Sequence, residues 1–484
     1  MVCLGVAPIS NTFNILIHGL CKSFRLDDAR EMIRTMNGFG CSPDAVTYNT
    51  ILSAYCKRGM LKDARDVLAE MKEKGLEPNR TTYNTLILAY CRLGWLKEAT
   101  RTVELMTASK CLPDLFTYNV LISGFCKEGR VDEGFRMKKE MERMRMAPDV
   151  VTYNTLINAC FHWRSREEAF RVFEEMREKG LRPELVTHNI IVNGLCKEGK
   201  MDEAVEKMRK MEEEGVAPDV VTYNTLISGF CRVGNMEKAF VLMDEMVGKL
   251  LKMDTFTLNT VLRSLCVVKR FDEAVELLRS PPKRGFIPDE VSYCTVISAY
   301  FKDEKPKEAM ELWKEMRKRK IMPSVATYNA VINGLCGSGR TEQGLEKLNE
   351  LLQQGLVPDE TTYNTLIHAY CKEGDLEKAF QFHNKMVENS FKPDVVTCNI
   401  LLHGLCSNGK VEKALTLFDS LVSKGKKVDV ISYNTLMQGL CKEGKTDAAL
   451  ELFANMKEKY NTILCALSES GRLEEAEKNV VNDG

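Results

Sequence analysis

LVTHNIIVNGLCKEGKMDEAVEKMRKMEEEGVAPD, Leu185–Asp219, is the stretch from which the rest of the chain can be read. Its first half sets apolar residues at helical spacing, and Gly199 interrupts it. A second apolar-periodic segment follows, opened by Asp202 and Glu203, acidic residues that suit a helix N-terminus. Gly215 and Pro218 close the stretch. The pattern predicts a helical hairpin of about 35 residues, too small to bury its own apolar face, so neighbouring hairpins must stack.

The pattern recurs on a fixed ruler. TYNT begins at Thr47, Thr152 and Thr222, and TYN also at Thr82, Thr117, Thr327 and Thr362, all separated by multiples of 35. Counted from Ser10, twelve units tile residues 10–429 without insertion or deletion, and a thirteenth begins at Val430. Met1 falls at position 27 of a unit, with Gly5 and Pro8 at positions 31 and 34, so residues 1–9 read as the end of a truncated repeat. The chain is therefore expected to be a fragment, in which a targeting sequence would not be visible. Near the other end MKEKYNTILCALSESGRLEEAEK jumps from position 30 at Lys459 to position 4 at Tyr460. This gives an incomplete thirteenth repeat over 430–459, a partial fourteenth over 460–478 and a tail over 479–484.

Composition excludes several classes. At 484 residues the chain would ordinarily hold about three domains, but a repeat architecture removes that expectation. Hydrophobic content of 44% and charge of 28% suit a folded chain, and no run approaches the ~18 apolar residues of a membrane span. Lys plus Arg equals Asp plus Glu at 68 each, so bulk charge gives no nucleic-acid signature and any such case rests on where charges sit. Eighteen cysteines without a CxxC or a signal peptide read as free thiols in a reducing compartment. They follow the ruler: position 12 is Cys in eleven units and Phe161 or Phe301 in two, which marks a buried apolar contact rather than metal or redox chemistry. Position 20 is Ala in eleven units, where two helices approach closely, and position 27 is Met in ten.

One segment imitates a phosphate loop. GLCKEGKT, Gly439–Thr446, matches G-x-x-x-x-G-K-[ST], but that motif needs a preceding strand and here follows a helical pattern. The same turn recurs as GLCKEGKM at Gly194–Met201 and GFCKEGRV at Gly124–Val131, so no nucleotide is expected.

Tetratricopeptide repeats have period 34. With its undrifting 35-residue period and the phrase PD-x-VTYNTLI-x-G-x-CK-x-G, this chain closely resembles the pentatricopeptide repeat family, specifically its P class. The resemblance implies an all-α fold, a right-handed α-solenoid superhelix of 35-residue helical hairpins. It also implies that single-stranded RNA is read one base per repeat, mainly by positions 5 and 35. Carried onto this sequence, position 5 is Asn14, Asn49, Asn84, Asn119, Asn154, Asn189, Asn224, Asn259, Asn329, Asn364, Asn399 and Asn434, with Cys294 departing in unit nine. Position 35 is Asp44, Asp114, Asp149, Asp219, Asp254, Asp289, Asp359, Asp394 and Asp429, with Asn79, Glu184 and Ser324 departing. The resemblance assigns the base sandwich to position 2: Val46, Phe116, Val151, Val186, Val221, Phe256, Val291 and Val396. Position 13 supplies a basic row for phosphate: Lys22, Lys57, Arg92, Lys127, Lys197, Arg232, Lys302, Lys372 and Lys442.

A recurring amide on an apolar face needs a partner, because burying it unsatisfied costs about 1–3 kcal/mol. The spacing fits a capping or inter-repeat hydrogen-bond ladder as well as a base reader. An Asp accepting from the amide NH₂ would turn its carbonyl toward a base and favour uracil, whereas Asn79 would leave the amide freer. In the family's code, Asn/Asp implies U and Asn/Asn implies C or U. Units one to twelve then read U-Y-U-U-N-U-U-U-N-U-U-U, 5′ to 3′. No catalytic constellation, cofactor or metal site is expected: the deaminase signatures H-x-E and C-x-x-C are absent, and His18, His368 and His403 merely share position 9. The implied protein is a non-enzymatic RNA binder of the mitochondrion or chloroplast, with a protein-binding scaffold in an organellar ribonucleoprotein as the alternative.

Overall fold

Two glycine-dependent turns make each repeat. In the sixth, the helices Leu185–Lys197 and Met201–Glu213 are joined through Gly199 at φ +76°, a left-handed conformation that costs glycine nothing. The second helix ends at Gly215, φ +83°. In several repeats that lack these glycines the backbone keeps the same conformation, with Phe24, Lys269 and Glu304 at the first turn and Lys110, Leu250 and Lys320 at the second, whereas Arg164 at the first turn of repeat five takes φ −126°. The tertiary stack thus imposes a conformation that L-residues disfavour.

The computed structural model describes residues 8–279, 287–423 and 428–456, and among them every regular element is helical. The truncated repeat before Pro8, the jump at Lys459 and the partial fourteenth repeat lie outside the described residues. The chain divides into two units, Met1–Val233 and Gly234–Gly484. The first runs from the helix Ser10–Lys22 to Val220–Arg232, and the second from Met236–Gly248 to Val430–Lys442 and a further helical segment to residue 456. Within each, the first helix of a repeat packs on its own second helix and on the first helix of the next repeat. Each unit is an α-solenoid of stacked hairpins.

The rows found on the ruler build the core. Ala64, Ala99, Ala204, Met71, Met106 and Met176 in the first unit have no exposed surface, and neither do Ala274, Ala309, Met316 and Met386 in the second. The small position-20 residue lets the two helices close while the methionine fills the gap beside it. Position 4 contributes Tyr48, Tyr153 and Tyr293, whose hydroxyls donate to Glu70, Glu175 and Glu315 at 3.3, 3.1 and 3.3 Å. Burial pushes the thiols of Cys56, Cys91, Cys126 and Cys196 up to about 12, so they are neutral packing groups at physiological pH.

Position 12 meets position 10 of the next repeat. A Cβ added at Gly334 would stand 2.1 Å from Phe301 Cγ, and one at Gly194 would stand 2.4 Å from Phe161 Cγ. Both repeats with Phe at position 12 are followed by Gly, whereas Cys is followed by Gly in some repeats, as Cys91 by Gly124 and Cys371 by Gly404, and by Ala in others, as Cys56 by Ala89 and Cys126 by Ala159. The bulky ring therefore requires the bare backbone. Gly334→Ala should destabilise the second unit by about 1–3 kcal/mol, and Phe301→Cys introduced with it should recover part of that loss. A denaturation double-mutant cycle in which the two costs simply add would refute the contact.

Candidate nucleic-acid interface

Position 35 immediately precedes the first helix of the next repeat. Asp44, Asp114, Asp149, Asp219, Asp254, Asp289, Asp359, Asp394 and Asp429 N-cap that helix, each accepting the N–H of the residue three places on at 2.8–2.9 Å. That residue is Thr or Ser at position 3, and it is fully buried. Its hydroxyl lies 2.6–2.8 Å from Oδ1 of the position-5 Asn one repeat earlier: Thr47 on Asn14, Thr82 on Asn49, Thr117 on Asn84, Thr152 on Asn119, Thr222 on Asn189, Ser292 on Asn259, Thr362 on Asn329, Thr397 on Asn364 and Ser432 on Asn399. The other end of the amide donates. Nδ2 of Asn84, Asn119, Asn189, Asn259, Asn329 and Asn399 reaches Oδ1 of Asp114, Asp149, Asp219, Asp289, Asp359 and Asp429 at 2.9–3.4 Å.

The ladder weighed as an alternative is therefore real, and it fixes these six amides at both ends. Turning the amide over would set its oxygen against a carboxylate. An amide carries two N–H donors and two carbonyl lone pairs, so one of each remains for a ligand. The buried Thr is the residue that sequence reasoning missed. It was visible within every TYN, but its partner lies 33 residues away. Asn79 also departs from expectation: its Oδ1 caps Thr82 at 3.1 Å and accepts from Asn49 Nδ2 at 3.3 Å, so the helix N-terminus fixes it and Asn49 is oriented like the others.

Two repeats break the ladder. Glu184, one methylene longer than Asp, makes no side-chain cap. Asn154 beside it is 9% exposed, and its Oδ1 is buried without a hydrogen-bond partner among the described residues. In repeat nine Ser324 caps Thr327 at 3.4 Å and Cys294 offers no amide. Asn224 is half-buried on the last helix of the first unit, and Asn434 is exposed on Val430–Lys442.

The remaining rows surround these amides. Val46, Val151, Val186, Val221, Val291 and Val396 are 52–60% exposed, Phe116 52% and Phe256 72%, an apolar row facing solvent that Ile431 extends. The nine basic residues at position 13 are all exposed at the ends of their helices. In the first unit Phe116, Val151, Asn119, Asp149, Arg92 and Lys127 line one pocket of 610 Å³, and Val46, Asn49, Asn79, Lys22 and Lys57 line another of 570 Å³. In the second, Val291, Cys294, Ser324 and Lys302 share a pocket of 780 Å³. The four rows converge at these repeat interfaces. The phosphate-loop imitation does not join them: Gly439–Lys442 belongs to a helix, Gly444 makes the turn, and Lys445 pairs with Glu412 and with Glu443 at 3.2 Å.

A PPR repeat family model matches twelve overlapping segments from residues 8–54 to 393–433, and further PPR repeat models match 424–457 and 460–478. Over 42 residues, 9% of this chain and 4% of the relative, the sequence is 43% identical to a mitochondrial pentatricopeptide repeat-containing protein of Arabidopsis thaliana. The match thus spans a small part of that relative. Among solved structures, PPR10 from maize is similar at TM-score 0.47 and 23% identity, over 99% of this chain and 79% of that one. PPR10 in complex with an 18-nt psaJ RNA element is similar at TM-score 0.44 and 23% identity, over 98% and 84%. No helix among the described residues is long and apolar enough to cross a membrane.

The capping carboxyls make the ladder sensitive to acid. Burial pushes Asp44, Asp219 and Asp359 upward, but the Thr amide and hydroxyl and the Asn amide outweigh it and hold each below its usual 3.8. A carboxyl depressed in the folded state contributes stability that is present above the unfolded value and lost as pH falls through the folded one. Asp359→Asn keeps a capping oxygen, as Asn79 does, and removes the titration. Its unfolding midpoint should lie near wild type at pH 7 and drop less than wild type between pH 5 and 3. Equal drops would show that this carboxyl does not contribute.

Proposed function

The chain belongs to the pentatricopeptide repeat family, and from that premise we propose that it binds single-stranded RNA sequence-selectively, one base per repeat. The observation that carries this reading is the amide locked at both ends, with one donor and one acceptor left over. Uracil presents N3–H beside a carbonyl, which pairs with that edge in the observed orientation, whereas cytosine requires the edge reversed. The Asn at position 5 is the reader and position 35 its orienting group. The exposed position-2 side chains flank the base, where aromatic faces contribute roughly 1–3 kcal/mol, and the position-13 cations accompany phosphates. In order of repeats the preferred sequence is U-Y-U-U-N-U-U-U-N-U-U-U, 5′ to 3′, read by twelve complete repeats over 10–429 beside an incomplete thirteenth and partial fourteenth, and the orientation that Asn49 shares with the other amides favours U within the Y of the second nucleotide. The protein acts by occupancy rather than catalysis. It covers a U-rich segment in a mitochondrial or chloroplast transcript, and so serves stabilisation, processing, splicing or translation alongside ribonucleoprotein partners.

Titration of the purified protein with a 14-nucleotide oligo(U), using oligo(A) as competitor at two salt concentrations, tests this. Binding should favour U, and affinity should fall with salt at a log–log slope of up to about −0.7 per phosphate contact. Weak, salt-insensitive binding of both would favour the protein-scaffold reading instead. Register is checked separately: Asn259→Thr, with Asp289 kept, should shift preference at the eighth nucleotide from U toward G in a binding selection, and an unchanged eighth position would refute the assignment.

A further inference from the structure

Repeat nine lacks both members of the reading pair, yet the space they leave is occupied. Glu290 stands at position 1, one helical turn before Cys294 on the helix Glu290–Lys302. Its Oε1 accepts the Ser324 N–H at 2.7 Å and also the Thr327 hydroxyl. Thr327 is the buried position-3 residue whose counterparts donate to the Asn amide. The carboxylate has thus taken the amide's anchor. Cys294 Sγ reaches Ser298 at 3.9 Å. Glu at position 1 does not suffice: repeat eleven carries Glu360, yet there Thr397 donates to Asn364 at 2.8 Å. A second long position-1 side chain, Arg80, also approaches its position-35 partner, with Nε 3.6 Å from Asp114 Oδ2.

We propose that repeat nine reads guanine through Glu290, an inference that rests on the RNA-binding reading above. Burial pushes the Glu290 carboxyl up, but Ser324 and Thr327 outweigh it and hold it below its usual 4.5, so it is ionised at neutral pH and only accepts hydrogen bonds. Glu290 Oε2 has no hydrogen bond among the described residues, and Glu290 lines the 780 Å³ pocket beside Val291 and Lys302. Oε1 is held by Ser324 and Thr327, so Oε2 is the acceptor left for a base. Uracil would turn a single N–H flanked by two carbonyls toward it, and adenine and cytosine each set a ring-nitrogen lone pair beside their amino donor. Guanine sets N1–H and N2–H side by side, so both donors converge on Oε2 with no lone pair facing it.

The test uses four U-rich 12-nucleotide RNAs that differ only at the ninth nucleotide, and a second set varied at the third. At the ninth, G should bind about tenfold tighter than U, the size of a base contact made through two hydrogen bonds, while at the third U should remain preferred. Glu290→Gln, which keeps the shape but presents an amide, should cut the ninth-nucleotide preference to about twofold or less and leave the third unchanged. A triple variant, Glu290→Val with Cys294→Asn and Ser324→Asp, rebuilds the ladder and should turn the ninth preference to U. No preference for G at the ninth with U still selected at the third would overturn the Glu290 assignment and leave the RNA reading standing. Indifference at both nucleotides would overturn the RNA reading and this inference with it.

Discussion

One buried hydroxyl per repeat interface holds this structure in register. The Thr or Ser at position 3 has a single proton, and at Thr47 that proton lies between Asn14 Oδ1 at 2.6 Å and Asp44 Oδ1 at 2.8 Å. The same residue offers its backbone N–H to the Asp cap and receives the Asp N–H on its hydroxyl. Leaving such a group buried without a partner costs about 1–3 kcal/mol, so each interface has to bring an acceptor to it. Ordinarily the Asn of the preceding repeat does so, and in repeat nine the Glu290 carboxylate does. Folding therefore demands a polar group at the point where a ligand would look for one. The structural and functional accounts of the ladder are two consequences of one requirement.

This bears on how much was legible. The hairpin, the turns and the Ala, Met and Cys rows could be read because each depends on residues close in sequence or on strict periodicity. Positions 2, 5 and 35 could be singled out only through the family resemblance, laid on the same ruler. Orientation could not, since it depends on contacts such as Thr82 to Asn49, where two side chains from different repeats meet across 33 residues. Asn79 shows the cost of reasoning from one pair alone. Beside it the Asn49 amide looked freer to turn, until the helix N-terminus, which that pairwise reading left out, claimed the Asn79 oxygen. Glu290 was illegible for a related reason, because position 1 holds Ser, Ala, Arg, Leu, Val, Thr or Glu in different repeats and takes the amide's anchor only where position 5 is vacated.

The repeats are thus similar without being interchangeable, and their exceptions come in complementary pairs. Phe301 goes with Gly334 and Phe161 with Gly194, each large residue matched by a missing side chain in the following repeat. Cys294 goes with Glu290 in the same sense, one short residue matched by one long. Repeat five lacks such a complement: Glu184 lengthens the cap, nothing shortens to meet it, and Asn154 keeps an orphaned carbonyl. The unit of design is accordingly the interface between consecutive repeats rather than the repeat itself.

A row of carboxylates is an odd lining for a groove proposed to hold a polyanion. Here each Asp carboxylate is engaged by a backbone N–H, in nearly every repeat by a hydroxyl and in most by an amide N–H, and it sits at a helix N-terminus whose partial positive charge offsets it. At the other end of the same helix, about three and a half turns away, the exposed Lys or Arg of position 13 meets the partial negative charge of the C-terminus. Acid and base each complement their own end of the dipole, so the arrangement is stabilising before any ligand arrives. The bound carboxylate exerts little repulsion, whereas the exposed cation keeps its field. A chain with 68 charges of each sign can therefore present a cationic face to phosphate, because hydrogen bonding, and not the count of charges, decides which of them a ligand meets.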